Sequence, residues 1–247
     1  MTEADRPQAA PRATRPEPGP PRAGRWLVPW IAVAIGAQGV AWLSGVRPFA
    51  LAEAVERGAA QVESEGIGER REDDIRKDIR LQRASRSFWT ALILLGDFGV
   101  EPLGLALRAL VVATVFASIA ALVGRPPGFE RALAESSAAQ GYWALGLAVR
   151  AALMVALHRP DVESSPVLFL PPGTYPAAAI VGLRQLDIFW MLGWFSLARG
   201  AWRRGQSNLL VAFAVVATLW AIEATLRLSV VLIIEGGMRR SIVIPKG

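Results

Sequence analysis

Apolar residues occur in five long runs along the chain, separated by polar or charged connections. The runs cover residues 26–46, 103–123, 138–157, 184–202 and 208–234. Each approaches the roughly 20 residues that an α-helix needs to cross about 30 Å of hydrocarbon. The last two are joined by a short basic turn, so they must lie antiparallel. The pattern predicts an all-α fold, a polytopic membrane helical bundle of about five transmembrane helices.

The segments outside these runs differ strongly in composition. Residues 1–25 hold six prolines and five arginines, which predicts a disordered Pro/Arg-rich tail, with docking of a partner on the prolines as the alternative. Residues 47–87 are predicted to be a charged, partly helical extramembrane segment, and residues 237–247 a polar tail. Cleavage of 26–46 as a signal peptide is a rival interpretation, because Ala50 and Ala52 form an A-x-A pattern.

The charged segment contains a helix with opposite charges at three- and four-residue spacing. Glu72 with Arg76 is the clearest pair, and such pairs support an exposed helix. Its apolar positions are few, chiefly Ile75 and Ile79. We expect a solvated helix leading into the membrane; a helix that binds a lipid surface or a partner is the alternative.

Two stretches of the remaining chain are predicted to lie outside the bundle. Residues 88–98 are apolar but too short to cross, and Asp97, Gly99, Glu101 and Pro102 follow as helix breakers. We therefore expect an interfacial or re-entrant piece before the span 103–123. Residues 124–137 are polar and are predicted to be a connection. Together with the later spans, residues 88–236 form the predicted membrane domain.

Composition narrows the classes of function. Hydrophobic residues make up 53% of the 247 residues, and the net charge is +6, which suits membrane lipids better than nucleic acid. The chain has no cysteine and one histidine, so thiolate and multi-histidine metal sites within one chain are excluded. No phosphate-binding glycine loop or serine nucleophile elbow is present. We expect no catalytic residue, no metal and no cofactor.

Small residues recur in the third run at four-residue intervals, a spacing that lets helices approach closely in lipid. The predicted helix-packing positions are Ala144, Ala148, Ala152 and Ala156.

The distribution of arginine among the connections predicts the orientation of the chain in the membrane. Residues 124–137 and the turn after residue 199 carry more arginine than residues 158–183. The positive-inside rule therefore places both connections and the N-terminus in the cytoplasm. The segment 47–87 and the basic pair Arg239 and Arg240 would then lie outside, which opposes this orientation.

Charged residues inside the spans are candidates for function, because unpaired charges in hydrocarbon cost several kcal/mol. Arg108 is expected next to Asp97 and Glu101, and Glu223 and Arg227 share one helix face. Under the predicted topology a charged cluster in the outer half of the bundle would consist of Arg108, Arg150, Asp187, Glu223 and Arg227. It either neutralises itself and fixes helix register, or lines a polar cavity for a substrate or ion; a general acid/base site is a third interpretation.

The fourth span resembles that of the Yip family, the Ypt/Rab-interacting membrane proteins. The residues that carry the resemblance are Leu186, Asp187, Phe189, Trp190, Trp194 and Gly200. The order of the spans over residues 88–234 is also similar, although Trp190 follows Phe189 directly, whereas the family usually has the tryptophan three residues later. The resemblance implies a five-span bundle with a cytoplasmic N-terminus. In eukaryotic members it implies binding to Rab-type GTPases, a partner that a bacterial protein would lack.

These observations predict an integral membrane protein of a bacterial inner membrane. We expect it to act through a membrane or cytosolic protein partner, as a non-enzymatic scaffold, assembly factor or accessory subunit. A small transporter or channel subunit is the alternative, and an intramembrane enzyme is third.

Overall fold

A computed structural model describes residues 24–66, 71–126, 128–158, 162, 164–170, 173–175, 177–237 and 242–244. Nearly all of the predicted N-terminal tail, and most of the C-terminal one, lie outside these residues.

The described residues are almost entirely helical, apart from one small ribbon. The α-helices are α1 (Gly24–Leu43), α2 (Val46–Gly66), α3 (Glu72–Ala84), α4 (Arg86–Leu95), α5 (Glu101–Leu122), α6 (Phe129–Ala139), α7 (Gly141–Leu157), α8 (Ala177–Arg184), α9 (Ile188–Arg203) and α10 (Leu209–Gly237). A π-helical turn covers Gly96–Val100, and a 3-10 turn covers Pro166–Phe169. Strands β1 (Gly173–Tyr175) and β2 (Ile242–Ile244) pair antiparallel.

Four helical stretches are long and apolar enough to cross a membrane. They are Gly24–Leu43, Glu72–Leu122, Phe129–Leu157 and Leu209–Val230. The predicted span 184–202 is α9, which has 16 residues and is therefore about 24 Å long at the helical rise. It packs against α6, α7 and α10. The chain is thus an all-α, membrane-embedded bundle with four full-length spans and one shorter helix among them.

The predicted break before the second span is wrong. The π-helical turn joins α4 directly to α5, and the stretch Glu72–Leu122 continues for 51 residues. Within this turn the Glu101 N–H donates to the Gly96 carbonyl, five residues back. The wider turn moves the preceding carbonyls away from the ring of Pro102, which would break an ordinary α-helix. Residues 88–98 therefore belong to one long helical stretch with the second span and are not a separate piece.

The predicted connection 124–137 is also mostly helix. Helix α6 occupies Phe129–Ala139, and it meets α7 at Gln140. One side of α6 consists of small, fully covered residues such as Ala132 and Ser137. Their size lets α6 pack closely on α5 and α9, because small side chains permit close helix approach.

The predicted alanine stripe of α7 packs only over its first half. Ala152 and Ala156 are exposed, and Ala151 instead meets Ala37 and Ala41 of α1. Positions four apart advance by about 40° around the helix at each step. After three steps the stripe therefore points away from α1.

The charged segment forms a helical hairpin of α2 and α3. Its two helices pack on each other, and Val62 of α2 and Ile75 of α3 are buried, whereas Val55 of α2 packs on Trp89 of α4. The predicted pair Glu72–Arg76 is present at 2.5 Å, and Leu81 is exposed. Helix α3 is thus largely exposed and charged, and it leads through α4 into α5.

Two connections meet at one end of the bundle. The Arg125 side chain donates to the Gly205 carbonyl at 2.8 Å, and Arg204 pairs with Glu135 at 2.5 Å. These contacts place the α5–α6 and α9–α10 connections on the same side, as their arginine content predicts. Helix α5, with 22 residues, separates them from the α2–α3 hairpin by about 33 Å.

The absence of native cysteine allows a clean test of this arrangement. We expect a cysteine at Glu130 and one at Asn208 to react with a membrane-impermeant maleimide from the same side of sealed vesicles. A cysteine at Arg80, an exposed position of the hairpin, should react only from the opposite side. Reaction of all three from one side would contradict the arrangement.

Candidate functional site: a charged network between the membrane helices

Arg108 of α5 makes a two-pronged ion pair with Glu223 of α10. Its Nε donates to Glu223 Oε2 at 2.8 Å, and its Nη2 donates to Glu223 Oε1 at 2.5 Å. The Arg108 side chain is 5% exposed. A bidentate arginine–carboxylate pair is among the strongest and most directional polar contacts. Since α10 packs mainly on α8 and α9, this pair ties it to α5 as well.

Gln140 supplies a third partner for the same guanidinium. Arg108 Nη1 donates to Gln140 Oε1 at 2.9 Å, and the Gln140 amide donates back to the Ser136 carbonyl at 3.1 Å. Gln140 is fully buried at the junction of α6 and α7. Its amide therefore links the junction of these helices to the ion pair.

Tryptophan rings surround the Arg108 guanidinium. The centroid of Trp143 lies 4.4 Å from its central carbon, and those of Trp190 and Trp194 lie at 5.8 and 6.0 Å. Aromatic faces attract a cation, most strongly where water is excluded. Because the guanidinium has both hydrogen-bond acceptors and ring faces as neighbours, its burial is compensated within the protein.

Arg227 extends the network along α10. It donates to Glu223 at 3.1 Å, as the four-residue spacing predicts, and to Glu101 at 2.8 Å. Its guanidinium stacks over Trp190 at 4.0 Å. The ions run in the order Glu101, Arg227, Glu223, Arg108. Two cations and two anions alternate, so the network of these four residues has no net charge.

Arg150 and Asp187 form a separate pair. Their side chains approach to 3.3 Å, and Asp187 is 2% exposed. Asp187 also caps α9 by accepting from the N–H groups of Phe189 at 2.9 Å and Trp190 at 3.2 Å, and it accepts from the Ser164 hydroxyl. A carboxylate at this position accepts hydrogen bonds from the free N–H groups of the helix and interacts favourably with the positive end of the helix dipole.

The predicted neighbours of Arg108 are wrong in one respect. Asp97 lies apart from it, accepting from the Trp42 indole at 2.8 Å and pairing with Arg47 at 3.6 Å. Glu101 reaches Arg227 instead. Within the described residues the five predicted charges therefore divide into an α5–α10 network and the Arg150–Asp187 pair. Trp190 links the two, because its ring contacts the network and its backbone N–H donates to the Asp187 cap.

Close helix contacts bring the tryptophans to the network. Gly193 of α9 faces the Trp143 ring, and Gly146 of α7 faces Phe189. A Cβ on Gly193 would lie 2.3 Å from a ring carbon of Trp143. Sequence reasoning missed these glycines and also Gln140. The sequence signal that could have identified Gln140 is its place: it is an uncharged polar residue that directly precedes an apolar run and does not lie in a loop.

In the part of the chain that the structure describes, no group of three histidine, cysteine, aspartate or glutamate side chains stands close enough to hold a metal ion.

We expect variants of Asp187 to separate its two roles. Asp187→Asn keeps a capping side chain but removes the charge from Arg150, and Asp187→Ala removes both. The alanine variant should therefore be less stable than the asparagine variant by about 1 kcal/mol. Equilibrium unfolding in mixed detergent micelles measures the difference.

The cap of the next helix provides the control. Asn208 accepts from the Val211 N–H at 2.8 Å on an exposed part of α10. Asn208→Ala removes a cap without an ion pair, so it should also cost about 1 kcal/mol. Equal stability of the two Asp187 variants would show that the cap contributes nothing.

Comparison of the chain with protein-family models, with curated proteins and with solved structures gives no match.

Proposed function

We propose that the chain is a non-enzymatic scaffold, assembly factor or accessory subunit of a membrane complex. The observation that carries this proposal is the pairing of charges inside the bundle. Arg108 and Glu223 bond to each other across two helices, and Arg150 bonds to Asp187. Charges used in this way fix helix positions, whereas a transport path needs charges that face a water-filled space.

The α2–α3 hairpin is the surface that we assign to the protein partner. It is rich in charged residues, and α3 exposes charges of both signs. Two exposed acidic residues, Asp73 and Asp74, lie at the start of α3. Because α3 continues into α5 as one helix, a partner bound here is coupled to the membrane bundle.

The resemblance to the Yip family is part of the proposal, together with a bacterial inner membrane and a cytoplasmic N-terminus. Asp187 of the shared motif caps α9, which gives the aspartate of that motif a physical purpose. Capping serves any helix, so the order of the spans carries the family proposal more than this residue does. The contact between the two arginine-rich connections supports the proposed orientation.

The test is a pull-down of the tagged protein from membranes in mild detergent. We expect one partner in fixed ratio to the wild-type chain, and its loss from the variant Asp73→Lys/Asp74→Lys. Arg80→Gln, which alters an exposed charge of the same helix, is the control for a nonspecific charge effect. A clean preparation with no stoichiometric partner would count against the proposal.

A transporter or channel subunit is the second candidate, favoured by one observation. The side chains of Glu101, Glu223 and Arg227 are 27%, 22% and 28% exposed, so one side of the network is open. Flux through proteoliposomes that disappears in Glu223→Gln, with the fold retained, would favour transport. Unchanged ion and solute permeability in that variant would favour the scaffold.

A further inference from the structure

A basic groove lies between α6 and the end of α9, away from the charged network. Its volume is about 610 Å³. The charged residues that line it are Arg131, Glu135, Arg199, Arg203 and Arg204, and Ser136, Ser196 and Tyr142 add uncharged polar groups. Four arginines face one glutamate, so the groove has an excess of positive charge that favours an anion.

The charged residues of the groove lie towards one end, and its deeper end is lined by uncharged residues. Arg131 is near the start of α6, and Arg203 ends α9, so both lie close to the end of the bundle where the connections meet. Leu197 and Ala139 line the groove about one to two turns deeper, where Ser196 and Tyr142 also line it. A phospholipid has the same layout, with a charged headgroup at the membrane surface and acyl chains below it. Free phosphate matches only the outer part.

Two buried polar groups in the groove have hydrogen-bonding capacity that the described protein atoms leave unused. The Arg204 side chain is 8% exposed; its Nε bonds Gln206 at 2.8 Å and its Nη1 bonds Glu135 at 2.5 Å. Its Nη2 has no partner among them, and neither has the Ser136 hydroxyl, on a residue that is 1% exposed. Buried donors without partners are costly and rare. An anion in the groove would satisfy both.

We propose that this groove binds the phosphate headgroup of an anionic membrane phospholipid. The guanidinium of Arg204 supplies the buried contact, with the Ser136 hydroxyl beside it. Arg131, Arg199 and Arg203 supply exposed positive charge around the phosphate. Guanidinium groups suit this task because they present paired donors to phosphate oxygens, and basic pockets between membrane helices bind anionic headgroups. Glu135 competes with the phosphate for Arg204.

The experiment measures lipid retained by the full chain. The protein is reconstituted in nanodiscs that mix phosphatidylcholine with phosphatidylglycerol, released, and weighed by native mass spectrometry. We expect selective retention of phosphatidylglycerol, weakened on the order of tenfold in Arg204→Gln, because a hydrogen bond to a charged group is removed. Arg80→Gln on the distant hairpin should retain the lipid as the wild type does.

A second variant distinguishes loss of lipid binding from loss of folding. Glu135→Gln removes the competing carboxylate, so it should retain phosphatidylglycerol more strongly, a result that an unfolded protein would not give. Equal retention of phosphatidylcholine and phosphatidylglycerol would overturn the proposal. So would full displacement of the lipid by glycerol phosphate in solution, which would assign the groove to a free phosphate. Unchanged retention in both variants would overturn it as well.

Discussion

Arg108→Met is expected to lower the free energy of unfolding by about 3–5 kcal/mol, the usual cost of removing one partner of a buried ion pair. The substitution removes the Arg108 Nε donor from Glu223 Oε2 and the Arg108 Nη1 donor from Gln140 Oε1. Glu223 keeps its contact with Arg227. Equilibrium unfolding in mixed micelles, followed by tryptophan fluorescence, gives the value, because three tryptophans surround the guanidinium.

Replacing both partners of the ion pair at once distinguishes the effect of charge pairing from that of side-chain packing. Arg108→Met/Glu223→Leu replaces the pair with apolar side chains, and such replacements are often neutral or stabilising. We therefore expect the double variant to be more stable than Arg108→Met alone. Arg80→Met, at an exposed position, should change stability by less than about 0.5 kcal/mol. A double variant as unstable as the sum of the single ones would refute the pairing argument.

Gly193→Val is expected to have the second largest effect. A Cβ at this position would lie 2.3, 2.4 and 2.8 Å from three carbons of the Trp143 ring. The ring has little room to retreat, because Arg108 lies on its face and Trp194 packs at its edge, with centroids 5.6 Å apart. Overpacking of a well-filled core costs about 1–3 kcal/mol and sometimes more. We expect the upper end of that range and a shifted tryptophan emission.

Gly39→Ala is the matched control for this variant. Gly39 is also inside a membrane helix, but a Cβ there meets no heavy atom within 4 Å. Alanine is a better helix former than glycine, so this variant should be as stable as the wild type or slightly more so. Equal stability of the two variants would contradict the close contact between α7 and α9.

The long spans are predictable from sequence because length and apolar content are sufficient to recognise them. Helix α10 begins one residue after the predicted 208, and α5 ends one residue before the predicted 123. Helix α6 escaped prediction since its covered face is built from small residues, including buried serines, which resemble a connection when only hydrophobicity is considered. The π-helical turn escaped because composition alone does not reveal a change in backbone hydrogen bonding.

The members of the charged site were predictable only in part, because Arg108, Glu223 and Arg227 share one network, whereas Arg150 and Asp187 form a separate pair. The pair Glu223–Arg227 follows from spacing on one helix, and it is present. The pairs Arg108–Glu223 and Glu101–Arg227 depend on how helices far apart in sequence are rotated and placed. Local sequence contains neither quantity. Arg108 therefore finds its carboxylate 115 positions away along the chain, although Glu101 is two turns from it on the same helix.

The alternation of charges along Glu101, Arg227, Glu223 and Arg108 has a consequence for the response to voltage. A membrane potential exerts about 2.3 kcal/mol per elementary charge per 100 mV. Two arginines and two glutamates that move together carry no net gating charge through this field. A translation that keeps these four side chains bonded therefore moves no net charge through the field. A step that separates an arginine from its carboxylate does move charge, and it would couple the membrane potential to motion at this site.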